Sequence, residues 1–247
     1  MNILSLFVLI PALMLLGLWL AKSLNQVRGV MVAGSSCLLA LAVWLTFYFI
    51  QQRSGGNTDP MLLAASTPWF RPLHIAYAVG VDGISVVMLL LSSIIVFTGT
   101  FASWQLKPMT KEYFLWFTLL STGVFGFFIC TDLFTMFMFY EVALIPMYLL
   151  IGVWGSGKKE YAAMKLTLML MGGSALLILG ILGIYYFNGE YSGTFTMNVS
   201  EIALTSHMIP VEIQKAFFPF IFIGFGVLGA LFPFHTWSPD GHASAPT

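Results

Sequence analysis

The chain has 247 residues, of which 59% are hydrophobic and only 8% charged, with no formal net charge and a mean hydropathy of +0.91. A charged content this far below the ~25% of soluble domains marks an integral membrane protein. No basic or acidic block occurs, so nucleic acid and acidic polymers are excluded as partners and the lipid bilayer is left as the bulk partner.

In chain order, apolar runs long enough to span occur at about Ile3–Ala21, Val30–Ile50, Ile84–Trp104, Tyr113–Ile129, Thr131–Ile151, Ala162–Phe187 and Ala216–Phe234. They are too long and too uniformly apolar for the tilted strands of a barrel, so the predicted class is all-α, a polytopic bundle of seven transmembrane helices. The first run is read as a spanning helix and not a signal peptide, because no basic residue precedes it and it contains Pro11 and Trp19. Lys22, Arg28, Lys107, Lys111, Lys158, Lys159 and Lys165 fall on one side of these spans, and Arg53, Arg71 and Lys215 on the other. The larger set belongs inside, which predicts an N-terminus outside. The two long outer segments, about 51–81 and 188–212, are rich in Gly, Ser, Thr, Asn and Pro and are expected to pack as irregular caps. Helix seven should be interrupted by Pro233 and Pro239, and the close on Ala245-Pro246-Thr247 is expected to be a truncation. Cys37 and Cys130 lie inside apolar segments without metal-ligand spacing and are expected to act as small hydrophobes.

The segment from Asp132 to Ile151 carries one carboxylate near its middle, Glu141. At ~1.5 Å per residue it lies about 15 Å from either end of the fifth run, at the centre of a ~30 Å hydrocarbon slab. An ionised acid there costs on the order of 3 kcal/mol even on lenient scales, so Glu141 is the first candidate functional residue. Pro146 removes the helix bond to the Val142 carbonyl and loosens the turn beside the acid. Lys165 enters helix six about one turn from the inner face, and two readings stand: pairing with a buried acid, or snorkelling to water. His235 and His242 follow the interrupted end of helix seven, either as protonation sites in a polar cavity or as interfacial caps. Asp82 and Asp132 each stand at a helix start and read as caps.

Several apparent motifs fail on context. Gly224-Phe-Gly226-Val-Leu-Gly229 has dinucleotide-fingerprint spacing, but no strand precedes it and it sits within a span, where glycines serve close helix packing or bending. The run from Gly152 to Lys158 mimics a phosphate loop but has Lys159 where Ser or Thr is required, and the sequon at Asn198 is of a kind common by chance. The sequence contains no redox ligand set.

Four groups of residues together resemble a known family: Gly80-Val-Asp82-Gly83-Ile-Ser85; Phe139-Tyr140-Glu141 with Pro146-Met147-Tyr148; Ala162-Ala163-Met-Lys165; and Pro233-Phe-His235-Thr236-Trp237-Ser-Pro239-Asp240-Gly-His242 with Ala245-Pro246-Thr247. The chain is similar to the M-type, antiporter-like membrane subunits of respiratory complex I, the NADH–quinone oxidoreductase. The last block is the most discriminating, since L-type and N-type subunits usually continue differently. The resemblance implies the N-terminal half of a fourteen-helix subunit. Residues 1–112 would form a three-helix part, and 113–247 four helices of the first inverted repeat. It also implies a proton path along the membrane midplane that includes Glu141, Lys165 and His235. No cofactor is implied in this chain, since NADH, FMN, iron–sulfur clusters and quinone would sit on other subunits. The partners would be other membrane-arm subunits, including L-type and N-type ones, in the inner membrane of a bacterium. One departure stands out: where the family usually places a helix-seven lysine, this chain has Leu228. The cation facing Glu141 would then come from Lys165, His235 or a lysine of an eighth helix, or the first half-channel of this subunit would work differently. A sodium/proton antiporter subunit and a structural scaffold are the alternative readings.

Overall fold

A computed structural model describes residues 2–246. Seven helices are long and apolar enough to cross a membrane: α1 (Leu6–Leu20, extended at its start by a 3-10 turn), α2 (Leu24–Ser54), α3 (Gly83–Ala102), α4 (Thr110–Ile129), α5 (Leu133–Trp154), α6 (Lys159–Ser192) and α8 (Val211–Leu228). Two short helices complete the set among the described residues, α7 (Val199–Thr205) and α9 (Trp237–Ser244). The seven expected spans are all present, but their boundaries shift. The 31-residue α2 and the 34-residue α6 outrun their apolar runs. At ~1.5 Å per residue each exceeds a 30 Å slab by about 15–20 Å, so their polar ends, Leu24–Arg28 and Asn188–Ser192, stand outside hydrocarbon.

Local chemistry fixes the helix starts. Ser23 and Gln26 form a reciprocal capping box on α2. Asp82 accepts from the Ser85 amide at 2.7 Å and Asp132 from the Thr135 amide at 2.9 Å, so both acids cap as expected.

The segment 51–81 is not an irregular cap. Leu62–Phe70 (β1) and Ile75–Val81 (β2) pair as a two-stranded hairpin, turned through Arg71–Leu73 and a left-handed His74 with φ 54°. Its Pro, Ser and Thr content suggested loop, but β1 is an edge strand, where proline is tolerated. The segment 188–212 is also more ordered than expected. The Asn188 side chain, fully buried, donates to the Thr194 carbonyl and accepts from the Thr205 hydroxyl, which closes α6 onto α7.

Two compact units result. The first comprises the chain up to Ala65 with Val79–Cys130, and in it α1 packs on α2 and α4 while α3 packs on α2. Lys111 reaches the free carbonyls at the end of α1, donating to Trp19 and Ala21 at 2.9 and 2.8 Å. Arg28 lies over the Trp104 ring, 4.7 Å from its centroid, and donates to the Trp104 carbonyl at 2.7 Å.

The second unit comprises Ser66–Ala78 and Thr131–Pro246, and its centre is α6, which packs on α5, α8 and α9. The α6–α8 seam is built on small residues. Gly173 faces Val227, Leu177 faces Gly224, Gly180 faces Ile221 and Gly183 faces Phe217, the opposite running order that antiparallel helices demand. A Cβ on Gly224 would lie 2.8 Å from the Leu177 Cβ, so the glycine is what lets the two backbones approach. This is the packing role expected for that glycine.

Helix α8 stops at Leu228, five residues before Pro233. The Leu231 amide donates to the Gly226 carbonyl at 2.7 Å and the Ala230 amide to Val227 at 3.2 Å, with Ala230 left-handed at φ 53°. This is a Schellman ending with alanine where glycine is usual. The interruption predicted from the prolines is therefore set earlier, by the backbone turn. Pro239 does not break a helix: it sits in the first turn of α9, where a missing N–H removes no bond.

Candidate functional site

Helix α5 carries Glu141, and its N-terminal end is held between two extended pieces of chain. The Thr131 amide donates to the Ala78 carbonyl at 2.9 Å on one side, while on the other Leu133 donates to Met197 at 2.8 Å and Val199 to Thr131 at 2.9 Å. Asp132, only 1% exposed, sits at the crossing. One oxygen caps α5 at Thr135, and the other accepts from the Ala76 amide at 3.1 Å. The Thr135 hydroxyl returns a bond to the Ala76 carbonyl at 2.9 Å. Sequence reasoning found the cap but not the bond to Ala76, whose partner lies 56 residues away.

Glu141 lies about 12 Å from the first residue of α5 and about 20 Å from its C-terminal end, deep in the span. Its Oε1 is buried and has no hydrogen-bond partner among the described residues. A buried acceptor left unmatched costs free energy comparable to a lost hydrogen bond. Its neighbour Tyr140 is buried and donates to the Leu170 carbonyl of α6 at 3.2 Å, pinning the two helices beside the acid. This tyrosine was legible only as part of the Phe139-Tyr140-Glu141 motif, because its partner lies 30 positions away.

Lys165 neither snorkels freely nor pairs with Glu141. Its Nζ lies 2.7 Å from Asp240 Oδ2, the one ion pair among the described residues, and 5.7 Å from the Tyr161 ring centroid. Asp240 was legible only as part of a motif, because its partner is 75 positions away. His235 is exposed in the short turn before α9, with its ring 5.6 Å from that of Phe232, and His242 is exposed on α9 near Trp237. Leu228 is the last residue of α8. Thus Lys165 is brought to Asp240, while no ion pair joins Glu141 to Lys165 or His235 among the described residues. No group of three or more potential metal ligands occurs among them either.

A family model described as "NADH:quinone oxidoreductase/Mrp antiporter, TM" matches residues 130–247, nearly the extent of the second compact unit. Subunit M of the NADH-quinone oxidoreductase of Rickettsia typhi is 34% identical over 218 residues, 88% of this chain and 42% of that protein. The chain belongs to the NADH:quinone oxidoreductase/Mrp antiporter family of membrane subunits. Within that family its likeness is to proteins named subunit M or chain 4, and it spans between 31% and 48% of the length of those curated relatives. Two solved structures share the family fold. A chain of the archaeal membrane-bound sulfane sulfur reductase complex superposes with a TM-score of 0.82 at 23% identity, covering 100% of this chain and 48% of that one. A chain of respiratory complex I from Thermus thermophilus gives 0.77 at 23% identity, covering 98% and 46%. This family member is a multi-pass membrane protein of the antiporter-like fold, mostly helical as its composition required.

Proposed function

We propose that this chain is part of the M-type, non-redox, proton-translocating membrane subunit of an NADH–quinone oxidoreductase. On this reading it lies in a bacterial inner membrane with its N-terminus outside, beside other membrane-arm subunits that include L-type and N-type ones. The observation that carries the reading is the Glu141 carboxylate, in mid-span with an unmatched buried oxygen, within the region that the family model matches. Quinone reduction in subunits holding NADH, FMN, iron–sulfur clusters and quinone alters the field or hydration along the membrane arm. Protons then move between Glu141, Lys165 and His235. Carrying one charge against 100 mV takes ~2.3 kcal/mol, so the path runs uphill only when coupled to that chemistry.

The test is Glu141→Gln in the full-length subunit in its native membranes, with proton pumping and quinone reduction measured together. Loss of pumping in an assembled complex is expected. Unchanged pumping would leave the chain a helical scaffold. The family description also names Mrp antiporters, which keeps a second reading, a subunit of a multisubunit sodium/proton antiporter. Purification with flavin and iron–sulfur subunits supports the first reading, and their absence the second.

A further inference from the structure

Asp240 is not used by the proposed path, yet it is paired with Lys165, which is. Asp240 lies on α9, an eight-residue helix that follows the Schellman ending of α8. So short a helix is not stable alone and must be held by its neighbours. Three fixings hold it. The Trp237 indole N–H donates to the Val227 carbonyl at 2.9 Å, the Ser156 amide donates to the Ser244 carbonyl at 2.9 Å, and Asp240 meets Lys165 at 2.7 Å. Between them Gly241 lies against the Leu166 side chain.

The first two fixings end on backbone carbonyls and are indifferent to charge. The third is different in kind. With side-chain exposures of 24% and 44%, the Lys165–Asp240 pair is wet enough to add little to stability. Its effect is directional. A lysine about 9 Å inside a helix, next to buried Ala162, Ala163 and Leu166, would ordinarily extend toward the nearest water. Asp240 instead turns it across α6 toward α9. Helix α6 also receives the Tyr140 hydroxyl at Leu170, so one element connects the neighbour of Glu141 with the ion pair.

We propose that Asp240 is a positioning residue of the proton path: it fixes the Lys165 ammonium against α9 and ties the segment beyond the helix break to α6. The proposal rests on the function proposed above.

The experiment uses the full-length subunit in the assembled complex, with Asp240→Asn, Lys165→Met and the exchanged pair Lys165→Asp/Asp240→Lys. Protons pumped per quinone reduced are measured beside Glu141→Gln. Spin labels at Met164→Cys and Ala243→Cys, in a Cys37→Ser background, report the spacing of α6 and α9. Asp240→Asn is expected to lower the pumping ratio at least threefold and broaden the label distances, and the exchanged pair to restore at least half of the lost pumping. A wild-type ratio in Asp240→Asn, an unchanged distance distribution, or an exchanged pair no better than Asp240→Asn overturns the proposal. If those results come with Glu141→Gln inactive, only the role of Asp240 falls. If Glu141→Gln pumps normally, the proposed function fails and this inference with it.

Discussion

Replacing Asp132 by alanine removes the acceptors of two amides at once, Thr135 at 2.9 Å and Ala76 at 3.1 Å, in a site only 1% exposed. Hydrogen bonds to a charged acceptor contribute about 1.5–3 kcal/mol each, and the two donors would be left without a partner or with intruding water. The expected loss is therefore about 3–6 kcal/mol, concentrated where β2, the start of α5 and the 197–199 segment meet. Asp132→Asn keeps one acceptor oxygen and should lose about 2 kcal/mol. Amide hydrogen exchange of the purified subunit resolves the effect by site. A loss of 2 kcal/mol corresponds to roughly 30-fold faster exchange at Ala76. Exchange at both amides within threefold of wild type in Asp132→Ala would refute the clasp.

The α6–α8 seam predicts that Gly224→Leu lowers the unfolding temperature of the subunit, at a cost of about 1–3 kcal/mol or more, because even its Cβ would crowd Leu177. Gly172→Leu on α6, where a Cβ meets nothing within 4 Å, is the matched control and should be nearly neutral in the same thermal assay. Ala230 holds a left-handed φ of 53°, so Ala230→Gly should stabilise the end of α8 by roughly 1 kcal/mol and Ala230→Val should do the reverse. A thermal scan of both variants checks the sign. Together with the pumping of Glu141→Gln and Asp240→Asn, these measurements separate what holds the helices from what the charges do.

Composition and periodicity alone determined that this chain is a seven-span helical membrane protein with a carboxylate in mid-span. The reason is physical: lipid accepts only structures that satisfy their own backbone groups, and run length reports slab thickness directly. Helix caps at Asp82 and Asp132 were equally legible, because a cap acts over three residues. The tertiary structure decided what depends on distant partners. The hairpin is one case, since Ser66, Thr67 and Pro68 mask β1 as a strand and the backbone of β2 is met by Thr131, far along the chain. The end of α8 is another: the prolines marked that a break occurs, but the left-handed Ala230 sets where. Lys165 is the clearest, because spacing along one helix allowed both an inward and an outward reach. Only the arrival of Asp240 from 75 residues away fixed its direction.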